Sequence, residues 1–242
     1  MKGRFFFLSE NIITNGCKQR CERILILDRI DYHQGSALII NQENGCNINR
    51  RSPEEFDLIM SWLGNALYPM TVRMDDSGEA KGIENIDEVR ERYATEGQKI
   101  IDYYEQDSLV AEYVKGCIKK VQDEKEVLQC ILQSNIYQLA TLYMAITARE
   151  YRLVDFPFVG DVITFCLSIE DEDEEEILLS IPEIKTERKV LSHVGKAYVH
   201  KTEKGTFDHI QLMLEVEIKD EGYYTRKLEL KQINEEEWKT NM

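Results

Sequence analysis

The sequence predicts an α+β protein: a mainly antiparallel β-sheet, built from N-terminal hairpins and a C-terminal meander, with a helical layer inserted between them. Three observations lead there. His209–Lys219 alternates strictly, with Ile210, Leu212, Leu214, Val216 and Ile218 on one face and Gln211, Glu215, Glu217 and Lys219 on the other. Such alternation marks a strand with one face buried and one wet, the pattern of antiparallel sheets. Residues 85–151 instead carry apolar residues at helical spacing. Strands and helices do not alternate regularly along the chain, which argues against a doubly wound fold, and the C-terminal strands exclude a pure helical bundle.

With no Pro/Gly/Ser-rich linker and no internal repeat, the expected organisation is one α+β domain over 1–242. It has a mixed zone at 1–84, a helical zone at 85–151 and antiparallel strands at 160–233. In the first zone, Arg23–Tyr32 and Ser36–Asn41 are β-rich runs joined through His33-Gln34-Gly35, a hairpin pattern. Ser52-Pro53-Glu54-Glu55 is a helix start, with a capping serine, an early proline and acids at the positive end of the dipole. That helix should carry Phe56, Ile59, Met60 and Leu63 on one face and stop near Gly64-Asn65.

The stretch Arg73–Glu84 invites comparison with a calcium loop. With Gly78 at the sixth position of an EF-hand, Asp75, Ser77 and Glu84 fall on ligand positions, but Arg73 stands where the first carboxylate belongs. With Gly82 there instead, Lys81 takes a ligand position. A hairpin turning at Asp76-Ser77-Gly78 is the better reading, with a helix beginning near Asn85.

In the helical zone, Val89, Tyr93, Ile100, Ile101 and Tyr104 recur at helical spacing, and Gly97 weakens the middle. Ser108 is placed to cap a second helix, carrying Leu109, Tyr113, Val114, Cys117, Ile118 and Val121, and Asp123 to cap a third, longer one running on through Leu139 and Ile146. Its second half, IYQLATLYMAITA, is apolar nearly all round and reads as a helix enclosed by core. In the last zone, Val162–Ile169 alternates with Ile163, Phe165, Leu167 and Ile169 on one face, and Arg188–His193 and Ala197–His200 add strands. Asp220-Glu221-Gly222 turns the chain into Tyr223–Gln232, with Tyr224, Leu228 and Leu230 inward. Glu170–Glu176 is an unbroken acidic run, read as a solvated loop because its charges repel and cannot be buried.

The chain's 43% apolar content supports an ordinary core, and its net charge of −15 argues against nucleic-acid binding, since no basic cluster offsets it. That field favours solubility and can steer a basic partner. The opening MKGRFFFLSENII has an apolar run shorter than the about 7–15 residues of a signal peptide, so a cytoplasmic location is expected unless a leader has been removed. No run reaches the about 18 apolar residues of a membrane helix, so no membrane insertion is expected. The six cysteines show no disulfide framework. Cys17 and Cys21 are the only close pair and lack partners for zinc, so all are read as reduced thiols.

No catalytic constellation stands out. Asp28, Asp31 and His33 form the most enzyme-like cluster, although a polar hairpin edge explains them equally well. Ser192 and His193 are neighbours on a strand and so face opposite ways. Phosphate-loop, dinucleotide and nucleophile-elbow motifs are missing from the sequence. No catalytic residue, cofactor or metal is therefore assigned. Tyrosines 103, 104, 113, 137, 143, 151, 223 and 224 suit either an interface or the packing of sheet against helix. The favoured function is a non-enzymatic interaction protein of inhibitor, immunity or adaptor type, whose acidic surface recognises a basic protein partner. Glu172, Asp173, Glu174, Glu175 and Tyr223 are the candidate contacts. The alternatives are a carrier holding an apolar small ligand between the sheet and the helix around Ile136–Ala148, and an enzyme using Asp28, Asp31 and His33.

Overall fold

A computed structural model describes residues 1–13, 18–48, 54–76, 78–144, 146, 150–202 and 206–234. The predicted α+β class holds. The N-terminal strands are β1 (Lys2–Ile13), β2 (Lys18–Asp31), β3 (Ser36–Ile48), β4 (Met70–Met74) and β5 (Ala80–Ile83). The C-terminal ones are β6 (Glu150–Val154), β7 (Val162–Cys166), β8 (Ser168–Glu172), β9 (Glu176–Ser180), β10 (Ile184–Lys185), β11 (Val190–Lys201), β12 (Phe207–Ile218) and β13 (Gly222–Gln232). Ten of these make one antiparallel sheet in the order β5-β4-β3-β2-β1-β13-β12-β11-β9-β8, and β10-β7-β6 make a second, smaller sheet. The two ends of the chain meet at its centre, where β1 pairs with β13 from Phe5↔Gln232 to Ile13↔Tyr224.

Period-two alternation decides which face is covered. Phe5, Phe7, Leu25, Leu27, Leu38, Ile40, Leu212, Leu214, Leu228 and Leu230 lie on the buried face, in one continuous core. Five helices and the small sheet supply the cover: α1 (Glu55–Ala66), α2 (Ile86–Tyr103), α3 (Ser108–Val121), α4 (Glu124–Gln133) and α5 (Asn135–Ala140). α1 packs on β3, α4 on β5 and α5 on β13. Of the stretch read as an enclosed helix, Ile136, Tyr137, Gln138, Leu139 and Ala140 are buried in α5, which ends at Ala140; a 3-10 turn follows over Leu142–Met144.

Several local expectations need correction. Glu54, not Ser52, is the N-cap of α1; Ser52 and Pro53 lie outside the described residues. α1 turns Ile59, Leu63 and Ala66 inward, an i, i+4, i+7 stripe, and this leaves Phe56 (59% exposed) and Met60 (41%) outside. Those two meet α3 instead: Phe56 lies 5.8 Å from the Tyr113 ring, and the Tyr113 hydroxyl reaches Met60 Sδ at 2.9 Å. Asp107 rather than Ser108 caps α3, accepting from the amides of Leu109 and Val110. Gly97, expected only to weaken α2, is where α3 approaches: a Cβ there would stand 2.7 Å from Ile118 Cδ1. The third helix is two, because Ser134 takes an extended ψ of 136° and its hydroxyl accepts from Tyr137 N, starting α5 anew. Of the two runs Arg188–His193 and Ala197–His200, all but Arg188 and Lys189 belong to the single strand β11.

The run Val162–Ile169 changes sheets at Leu167, so Ile163 and Phe165 are buried by the small sheet while Ile169 sits 46% exposed in β8. The turn that resembled a calcium loop is the β4–β5 hairpin, with Val72 opposite Ile83 and Gly78 at φ 78°; Ser77 lies outside the described residues. Asn85 precedes α2 as expected. Cys21 is disulfide-bonded, contrary to the reduced-thiol reading, to a cysteine whose side chain is not among those described; Cys117, Cys130 and Cys166 are free.

Candidate functional site

The acidic run is not a loop. It forms the β8–β9 hairpin, with Glu172 opposite Ile177 and Ile169 opposite Leu179, and β8 is the last strand of the large sheet. An edge strand tolerates what the centre of a sheet does not: with a neighbour on one side only, each acid can turn into water. All five residues of β8 are exposed.

The turn residue Asp173 is tied up locally, its carboxylate accepting from the amides of Glu175 (2.8 Å) and Glu176 (2.7 Å). Those amides hold it below the usual carboxylate range. Glu172 meets Lys201 at 3.2 Å. Glu176 accepts from the Tyr198 hydroxyl, a bond that pushes this phenol up to about 12. Glu174 and Glu175 are exposed, and no side-chain partner binds their carboxylates among the described residues. Of the predicted contact residues these two are the ones left free for a partner.

Tyr223 does not join them. The pairing chain Glu172–Ile177–Val199–Ile210–Leu230 puts the hairpin level with Leu230, four strands away, and Tyr223 lies seven residues further along β13. It is 50% exposed, and the charge of Glu217 raises its phenol. The other tyrosines divide: Tyr137 and Tyr151 are buried, whereas Tyr103 is 74% exposed. The side chain of Tyr143 lies outside those described.

Asp28, Asp31 and His33 are not assembled into a site. Asp28 pairs with Lys2 at 2.9 Å and Asp31 with Arg29 at 2.7 Å. Three residues apart, the two aspartates point to opposite faces of β2. His33 lies beyond the end of the strand, in the exposed turn. Among the described residues no group of three or more His, Cys, Asp or Glu is placed to hold a metal ion. No described helix is long and apolar enough to cross a membrane.

Around α5, where an apolar ligand was expected, Tyr137, Leu139, Ala140 and Leu142 are at most 1% exposed. A cavity of about 610 Å³ lies elsewhere, between α1 and the helix-facing side of β1, β2 and β13. Its sheet wall includes Ser9, Asn11, Arg23 and Arg226, and its helix wall Met60 and Ser61. Arg226 is 8% exposed, and its Nη1 donates to Asn11 Oδ1 at 2.6 Å. Burial draws its guanidinium down to about 10, with the through-space charge of Asp155 opposing. Arg23 donates to Cys21 Sγ (3.4 Å) and to Gln42 Oε1 (3.2 Å), neither an anion. Tyr68, also on the wall, has its phenol raised by burial, the Arg23 charge acting against that. Sequence reading missed Arg226. The signal was its parity, because it shares the inward positions of β13 with Tyr224, Leu228 and Leu230.

Comparison of the chain with models of known families, with curated proteins and with solved structures found no match.

Proposed function

We propose that this is a non-enzymatic binding protein whose acidic β8–β9 edge recognises a basic, extended segment of another protein. The observation that carries the reading is the position of the acids. They lie on a terminal strand, whose outer backbone groups no described strand pairs, and on the turn after it, so a partner strand could add there while its lysines or arginines meet Glu170 and Asp171 on β8 and Glu174 and Glu175 in the turn. Main-chain hydrogen bonds would supply register, and charge would supply partner choice and encounter rate. Charged edges also protect against unwanted pairing, so selectivity for a basic strand is what separates recognition from protection. An inhibitor, an immunity-type protein or an adaptor fits this behaviour. The disulfide at Cys21 favours an oxidising compartment and weighs against the cytoplasmic expectation.

The test compares the wild-type chain with Asp171→Asn/Glu174→Gln/Glu175→Gln as bait for the source cell's proteins, at low and moderate salt. An alternating Lys-Val peptide serves as a defined probe by fluorescence anisotropy. One basic protein retained stoichiometrically by wild type, weakened by salt and lost by the triple variant, supports the reading. Equal retention by both baits, with no difference in peptide affinity, refutes it.

A further inference from the structure

We infer that the cavity beneath α1 is a binding site for a small organic monocarboxylate with an apolar body, anchored by Arg226. The inference is independent of the acidic edge. It begins from an imbalance of charge. The chain has 45 acids against 30 lysines and arginines, and several of its arginines find them. Arg4 pairs with Glu43, Arg20 with Glu10 and Glu22, Arg29 with Asp31, Arg90 with Asp87 and Arg188 with Asp161. Arg23 and Arg226, like Arg73, Arg92 and Arg152, have no ion pair among the described residues, and the first two stand, with the paired Arg20, on the wall of this cavity.

Arg226 is the more telling of the two. It is more than nine-tenths buried, one nitrogen is used on Asn11, and its Nε is buried with no hydrogen-bond partner among the described residues. A buried guanidinium nitrogen without an acceptor is costly, and native proteins rarely leave one unless something else supplies the acceptor. The open edge of a guanidinium is a planar two-donor fork, which a carboxylate fits in bidentate fashion. Arg23 adds a second positive charge on the same wall, and Ser9 and Ser61 add hydroxyls.

The rest of the lining selects the ligand's class. Met60, Leu67 and the ring of Tyr68 give apolar surface suited to a hydrocarbon or aromatic body. Asp57 also lines the cavity, and its negative charge disfavours a dianion such as phosphate more than a monoanion. The volume of about 610 Å³ falls within the range of roughly 300–1,000 Å³ typical of small-molecule sites.

Calorimetric titration and thermal shift on the full chain test this. The probes are octanoate and 3-phenylpropionate; octan-1-ol and octylammonium are charge controls, and inorganic phosphate is the polyanion control. The expected result is saturable one-to-one binding of at least one carboxylate, a midpoint that rises with its concentration, and weak or no response to the controls. Arg226→Lys keeps the charge but loses the fork, and Arg226→Met loses both. Each should weaken the carboxylate by about tenfold or more, and Arg23→Gln by less. Melting each variant without ligand separates lost binding from lost fold. The inference is overturned if neither carboxylate saturates at millimolar concentration, if octan-1-ol or phosphate binds as well as they do, or if folded Arg226→Met binds them unchanged.

Discussion

Replacing Arg226 by methionine should stabilise the ligand-free protein. Burial brings this guanidinium from its usual range down to about 10 in the fold. At about 1.36 kcal/mol per pKa unit, keeping the charge inside costs roughly 3 kcal/mol. Because the folded value is the lower one, the unfolded chain holds more protons from about pH 10 up to the ordinary guanidinium value. Stability therefore rises with pH across that window, and the cost is present in full at pH 7. Methionine keeps an unbranched stem at this inward position opposite Asn11 and removes the charge. The bond from Nη1 to Asn11, 2.6 Å long, is lost at about 1 kcal/mol, partly recovered by water since Asn11 is only half-buried. The net gain is about 2 kcal/mol, in line with the behaviour of buried charges exchanged for apolar groups. In a chain of this length that raises Tm by roughly 4–8 °C. Calorimetric melts at pH 7, with urea midpoints as a second measure, give the answer. A fall in Tm would show that the guanidinium supports the fold through contacts beyond Asn11, and would sink the argument that Arg226 is held in reserve for a ligand.

Four further outcomes follow from the geometry. His209 Nε2 and Lys227 Nζ, each 3.0 Å from Glu229, hold its carboxyl at about 2, against 4.5 when free. The stability this contributes is full above the free value and is lost as pH falls from there through about 2. Solvent screening reduces it to about 1 kcal/mol. Glu229→Gln should therefore lower the urea midpoint at pH 7 and converge on wild type near pH 2; a gap that persists there refutes the assignment. Gly195→Ala should cost about 1–3 kcal/mol, because the new Cβ meets Ile181 Cβ at 2.6 Å, and Ile181→Ala, which keeps that atom, should not restore the loss. Gly97→Ala collides first with the terminal methyl of Ile118, so Ile118→Val should recover much of its deficit by thermal melt. Alkylation of the denatured chain before and after reduction should gain two labels, one of them on Cys21 by peptide mapping; no gain would remove the disulfide.

What could be read from sequence was whatever depends on local periodicity. The alternation of His209–Lys219 needs only its own residues, and it became β12 with the expected face buried. The dense apolar run after Ser134 could only be enclosed, and α5 is. The errors arose where a distant partner decides the outcome. Phe56 and Met60 look like core positions until α3 is present to receive them outside it. Ile169 continues its strand's alternation, yet the chain changes sheets at Leu167 and carries it to the edge. Glu170–Glu176 reads as loop by charge, and only its place at the end of ten strands makes a hairpin affordable.

The two surfaces that remain as functional candidates share one logic. Each is a position where polarity and strand parity disagree with stability alone. On β8 the acids occupy both faces of a strand, and on β13 Arg226 occupies the inward face among leucines. A protein selected only for folding would place a leucine or valine at 226 and need fewer charges on its last strand. Both departures lower the intrinsic stability of the sheet, one at its edge and one at its centre, and a bound partner or ligand would offset each of them separately. The loss of peptide binding in the β8 variant and the gain of stability in Arg226→Met are therefore independent measurements, and either can fail without touching the other.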